Sequence, residues 1–226
     1  MRRFVFALIV GLGGVATLVA LGLWQVQRLA WKQEILAAID AKVAAAPVPF
    51  DTIERPDRDR DLYRAVTMSG TTTGQEVLVL SGSEGAGPGF EVIAGFETER
   101  GRMILLDRGF VPETERDTPR PPVALTVTGN LHWPDETDSF TPPPDPKTGM
   151  WFARDVPGIA ARLGTEPVLV VARQVTGDAQ GVEPRPVDTS VIPNDHLGYA
   201  ITWFTLALVW AGMTVLSLWR IRRRKS

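Results

Sequence analysis

Pro193-Asn194-Asp195-His196-Leu197-Gly198-Tyr199-Ala200-Ile201-Thr202-Trp203-Phe204 is a polar, turn-forming lead-in that passes into an apolar run lasting almost to the C-terminus. It reads as the mouth of a membrane helix. Asn194 or Asp195 can cap the free N–H groups of the first turn, and an acidic cap suits the positive end of the helix dipole. His196, Tyr199, Ala200 and Trp203 stand at i, i+3, i+4 and i+7, so an imidazole, a phenol and an indole share one helical face at the membrane edge.

Downstream, Leu197–Leu218 is the apolar span itself, with Ala200, Ala207 and Ala211 placing small residues on one face for packing against another helix. The other end of the chain mirrors it. Phe4 to Leu23 carries no charge, and at about 1.5 Å per residue it spans roughly 30 Å, the thickness of the hydrocarbon core. A cleavable signal peptide competes with a retained anchor here, but the apolar stretch exceeds the usual h-region, which favours the anchor. Trp24 stands at the outer interface, and the helical pattern continues through Leu29, Leu36, Ile39 and Val43 until Pro47 and Pro49 stop it.

Charge gives the orientation. Arg2, Arg3, Arg220, Arg222, Arg223, Arg224 and Lys225 flank the two apolar runs; setting these seven apart leaves 17 cations against 26 acids, a net of −9 for the middle. Positive flanks mark the cytoplasmic side, so the expected protein is a multi-pass hairpin with both termini inside and an acidic domain outside. An acidic middle also speaks against nucleic acid as partner, whereas membrane lipid is implied by the spans. The expected divisions are a cytoplasmic N-terminus (1–3), a first membrane helix (4–23), a helical extension (24–46), a β-rich periplasmic domain (47–192), a second membrane helix with its cap (193–219) and a basic cytoplasmic tail (220–226).

The middle is an α+β domain. Short segments rich in Val, Leu, Ile, Thr and Phe predict strands near Tyr63–Ser69, Glu76–Leu80, Phe90–Phe96, Met103–Asp107, Ala124–Gly129 and Val168–Arg173. A helix is predicted over Val156–Leu163, capped by Asp155 and stopped by Gly164. Together these elements suggest a small twisted sheet or partly closed barrel. The alternating charges of Glu54–Asp61 read as a solvated connector, and Gly82–Gly89 as a hairpin loop that lacks the Gly-Lys-Ser/Thr ending of a phosphate loop.

Enzyme chemistry finds little support. No Gly-x-Ser-x-Gly elbow is present, and His132, beside Trp133 and Pro134, reads as a loop or packing residue. The chain has no cysteine, which excludes disulfides, thiolate metal sites and covalent haem attachment through Cys-x-x-Cys-His. His196 is different. A first-turn imidazole suits a neutral ring with a lone pair free for a metal, and haem iron commonly takes one such ligand. In an antiparallel hairpin with matched ends, His196, Tyr199 and Trp203 reach the depth of Trp24. Arg28 and Lys32 then lie one to two turns above, where haem propionates would emerge. The same residues also read as a polar end to a membrane helix, and the residues alone do not separate the two.

Three stretches resemble one family. Gly22-Leu23-Trp24-Gln25-Val26-Gln27-Arg28-Leu29-Ala30-Trp31-Lys32, Leu105-Leu106-Asp107-Arg108-Gly109-Phe110-Val111-Pro112 and Pro193–Phe204 together resemble the surfeit locus protein one family, in the family's order and across essentially the whole chain. Phe110 departs from the family pattern, which has Trp after Arg-Gly. The resemblance implies a non-enzymatic assembly factor for haem-copper cytochrome c oxidase that binds haem a as transient cargo. It implies His196 as axial ligand of the haem iron, with Tyr199 and Trp203 at the family's following positions; Trp24 and Arg28 join them as haem contacts on the hairpin geometry. The implied partners are the oxidase large subunit and, as a candidate, haem a synthase. A cofactor-free scaffold that steadies an oxidase subunit is the alternative. The short N-terminus before the anchor favours a bacterial inner membrane over a mitochondrial one.

Overall fold

Helices form both ends of the chain: α1 covers Arg2–Val43 and α4 covers His196–Arg223, and both are long and apolar enough to cross a membrane. The computed structural model describes residues 2–83, 87–190 and 192–223, in two units: Met1–Ala38 with Thr189–Ser226, and Ile39–Asp188. Of the basic tail, Arg224 and Lys225 lie outside the described residues, as do Glu84, Gly85 and Ala86 of the glycine-rich stretch.

In the first unit the helices pack antiparallel along a seam. On α1 the seam runs through Gly11, Gly14, Leu18, Gly22, Gln25, Leu29 and Lys32, and on α4 through His196, Ala200, Trp203, Ala207, Ala211 and Thr214. Steps of three and four residues keep one stripe of each helix facing its partner. The glycines set the spacing. A Cβ at Gly22 would stand 2.7 Å from the Phe204 ring, and one at Gly11 would overlap Thr214. Ala200 and Ala207 are buried, as their spacing predicts.

The second unit is a closed five-stranded barrel. After a two-residue strand β1 (Val48–Pro49) and a four-residue helix α2 (Arg58–Asp61) come β2 (Ala65–Ser83), β3 (Gly87–Thr98), β4 (Met103–Pro112) and β5 (Ala124–His132). Helix α3 (Val156–Leu163) and strand β6 (Leu169–Gly177) follow. Around the barrel the order is β2-β3-β4-β6-β5, and β5 returns to pair with β2. Strands β2 to β5 thus form a Greek key, with β6 inserted between β4 and β5, parallel to the first and antiparallel to the second. The α+β expectation holds, and the partly closed alternative resolves to full closure.

Closure depends on one bent strand. The expected strands Tyr63–Ser69 and Glu76–Leu80 are one: residues 65–71 of β2 pair with β5, while its far half pairs with β3. The register shifts between Thr72 and Glu76, where Gly74 takes φ +75°. A bulge of this kind bends a strand without ending it, which is how β2 serves two neighbours. Strands β3 and β4 likewise run beyond their expected limits, and β2 and β3 meet at Ser83 and Gly87, well inside the expected Gly82–Gly89 loop.

Alternation divides the apolar residues of β4 and β6 between two faces. Ile104, Leu106, Val170 and Ala172 fill the interior with Phe50, Phe96 and Val168, which just precedes β6, while Leu105, Leu169 and Val171 meet Val156, Ile159 and Ala160 of α3 outside. Both faces of this pair are buried, so its sequence reads as continuous apolar runs. Helix α3 is built as predicted, with the Asp155 carboxylate accepting from Gly158 N–H at 3.2 Å and Gly164 ending it in the left-handed conformation.

One expectation is corrected here. Glu54–Asp61 is not wholly a solvated connector, because Asp57 caps α2 and Asp61 is fully buried between Arg60 and Arg64, at 2.8 and 2.9 Å. Burial works to raise the Asp61 pKa, but the hydrogen bonds from Arg60, Asp57 N–H and Arg64 outweigh it and hold the carboxyl at about 2.

The seam makes a direct prediction. Gly22→Leu must displace Phe204 and is expected to cost about 1–3 kcal/mol, read as a lower thermal midpoint of the detergent-solubilised chain. Gly13→Leu, with nothing within 4 Å of the added Cβ, is expected to leave the midpoint unchanged.

Candidate functional site

His196 opens α4. The Tyr199 N–H donates to the Asp195 carbonyl at 3.1 Å, the first bond of the helix, so the imidazole occupies the first turn. It is half-buried on the seam, and its Nδ1 lies 2.8 Å from the side-chain oxygen of Gln25 on α1. Gln25 is 8% exposed, a buried amide on the seam between Gly22 and Leu29. About two turns further out, the Lys32 ammonium donates to the Pro193 carbonyl, a second tie between the helix mouths. Asn194 Oδ1 is buried and accepts no hydrogen bond.

The other expected residues divide into two groups. Trp203 is half-buried on the seam side of α4. Tyr199, Trp24 and Arg28 are exposed, and the Arg28 guanidinium stands 3.9 Å over the Trp31 ring. The structure thus joins His196 to the Trp24–Arg28 stretch through Gln25, while Trp24, Arg28 and Tyr199 flank that contact on outward faces. Lys32, expected beside Arg28 as a propionate partner, is engaged with Pro193 instead. Gln25 is the residue that the sequence reading left unassigned. The available signal was an amide one turn after Gly22, at the edge of an apolar helix, where a polar group needs a partner.

A single imidazole would be a sufficient protein donor for a haem, because the porphyrin would bring its own nitrogen ligands to the iron. Among the described residues no group of three or more His, Cys, Asp or Glu could hold a bare metal ion. The donor set therefore fits a haem better than a naked cation.

The third stretch of the resemblance lies in the barrel, entirely within β4. The Asp107 carboxylate accepts from Gly109 N–H at 3.1 Å and from Arg154 at 3.2 Å. Arg108 reaches Gln180 and the Ala179 carbonyl, while Phe110 exchanges two backbone bonds with Glu183 at 2.8 and 3.0 Å. Gly109, at φ +115°, leaves room for the Glu183 carbonyl that any Cβ would strike. Arg185 covers the Phe110 ring at 3.8 Å. The stretch fastens the segment 179–185 to the barrel.

His132, at the end of β5, is a packing residue, as expected. Its ring stacks on Tyr63 with centroids 5.4 Å apart, and its Nδ1 has no partner. Burial first, and the Arg154 guanidinium second, push its pKa down to about 4. Burial, with Glu91 adding to it, pushes the nearby Asp107 carboxyl up to about 7 against the pull of Arg154.

Comparison with known proteins now bears on the whole. The family model described as "SURF1 family" matches residues 12–208. The chain belongs to the SURF1 family. "Surfeit locus protein 1" of Rattus norvegicus is 28% identical over 217 residues, covering 84% of this chain and 69% of the relative. A "SURF1-like protein" of Monosiga brevicollis is 30% identical over 224 residues, covering 91% and 83%. "Surfeit locus protein 1" of Homo sapiens is 29% identical over 217 residues, covering 84% and 70%. The match to the SURF1 family model takes in both Gln25 and His196, as well as the β4 fastening.

His132 supplies a test of the barrel's electrostatics. A lowered histidine pKa means that the unfolded chain takes up the proton first, so its contribution is full above pH 6.5 and is lost as pH falls toward 4. Asp107 acts in the opposite sense, stabilising below about pH 4 and losing that contribution as pH rises to 7. The stability of His132→Phe minus that of the parent is therefore expected to grow by about 2–3 kcal/mol between pH 7 and pH 4, measured by chemical denaturation.

Proposed function

We propose that this chain is a non-enzymatic assembly factor for haem-copper cytochrome c oxidase. It holds haem a at the outer membrane interface and hands it to the oxidase large subunit, with haem a synthase as the candidate source. The observation that carries the reading is the placement of His196. A half-buried imidazole begins a membrane helix, with one ring nitrogen engaged by Gln25 and the other, Nε2, making no hydrogen bond among the described residues.

The remaining residues take supporting parts. Trp203 offers an aromatic surface on the seam side of α4, and the exposed rings of Tyr199 and Trp24 extend it outward. Arg28 provides a guanidinium suited to propionate carboxylates. In this reading the protein sits in a bacterial inner membrane. Its Arg-rich ends are cytoplasmic and its acidic barrel is periplasmic.

The test is a spectrum. The protein is purified from cells that make haem a, in parental form and as His196→Ala, and haem per chain is measured with helix content as the folding control. The variant is expected to retain less than about a tenth of the parental haem, in line with the loss of a metal ligand. Unchanged haem content in a folded variant would remove His196 as the ligand. Support of oxidase assembly by that haem-free variant would favour the scaffold reading.

A further inference from the structure

We propose that Gln25 is a positioning residue for His196, fixing the tautomer of its imidazole so that Nε2 is the nitrogen left with a lone pair. The inference builds on the proposed function only in the use to which Nε2 is put; the tautomer is a property of the cargo-free protein.

A buried amide without a partner forfeits its hydrogen bonds to water, a cost that a leucine at this seam position would not incur. Gln25 is nonetheless 8% exposed, and its side-chain oxygen meets His196 Nδ1 at 2.8 Å. An amide oxygen can only accept. With the amide oxygen facing the ring, Nδ1 is the donor of this pair, and in the neutral imidazole Nε2 is then left as the acceptor. A free histidine in water has no such partner and populates the two tautomers by intrinsic preference alone.

Position reinforces the point. Gly22, three residues before Gln25, lets Phe204 approach the α1 backbone more closely than any side chain would allow. The same close approach brings His196 within hydrogen-bond reach of a side chain as long as glutamine. Lys32, holding the Pro193 carbonyl, steadies the chain just before the first turn. The imidazole is thus held from α1 at its near nitrogen and from its own helix at the backbone, and its Nε2 edge has a fixed direction. Histidine ligands whose second nitrogen donates to an oxygen gain both orientation and basicity, and losing that partner weakens metal binding by about 10–100-fold.

The experiment uses the full-length chain in lipid nanodiscs, free of haem, with 15N-labelled histidine. The sequence contains two histidines, so the spectrum holds two imidazoles, and His132 in the barrel serves as the internal folding control. The parent is expected to show His196 protonated at Nδ1 and unprotonated at Nε2. Gln25→Met keeps the length and apolar bulk but removes the acceptor; it is expected to shift His196 toward the Nε2–H form with the His132 signals unmoved. Haem a retention by the same variant is expected to fall by about 10–100-fold. An Nε2–H tautomer in the parent would overturn the proposal. So would an unchanged tautomer in Gln25→Met with His132 intact. Failure of the ligand reading itself would show elsewhere, as undiminished haem in His196→Ala.

Discussion

The membrane end of this chain depends on how closely two helix backbones approach each other. In lipid, apolar side chains gain little by leaving the solvent, so packing must come from contact between surfaces. Gly11, Gly14 and Gly22 remove side chains where Thr214, Trp210 and Phe204 come down. The spacing they permit is also the spacing at which Gln25 and His196 satisfy each other. A wider seam would leave an amide and an imidazole unpaired at the edge of the hydrocarbon, so steric fit and polar pairing enforce the same geometry.

Much of this was legible in the sequence. The two apolar runs, the cap and stop of α3, and the approximate places of all six expected strands follow from periodicity, turn residues and Asp155 with Gly164. What could not be read has identifiable causes. The stretch Ser69–Gln75 is rich in Thr with Gly at two positions, a composition that marks loops, yet it bends within a strand because β3 and β5 hold it from either side. Asp61 looked like one more charge in an alternating run, and only the folded chain encloses it between two arginines. Spacing placed His196, Tyr199 and Trp203 on a common face. It gave no hint that Gln25 would be the group reaching across, since that depends on helix-to-helix register.

The stretches that carry the family resemblance divide their labour. Those around Gln25 and His196 meet on the helix seam, whereas Leu105–Pro112 lies within β4 of the barrel. Its Asp107, Arg108, Gly109 and Phe110 secure the polypeptide that leaves the barrel after β6. Phe110 shows why an aromatic residue suits this position: its backbone pairs with Glu183 while its ring lies beneath Arg185. A motif can therefore mark a family through the contacts it makes within a domain.

The position of β6 in the barrel bears on how a nascent chain acquires this fold. Leu169–Gly177 is the last strand to be synthesised, yet it lies between β4 and β5, which have both been made by residue 132. Until it arrives, each of those strands presents an unpaired edge, the kind of surface on which chains pair wrongly. Pairings so distant in sequence also form slowly. Residues 178–195 alone separate β6 from α4, so the strand that closes the ring and the second apolar helix are synthesised in close succession, and slow closure leaves the barrel open while α4 is being made.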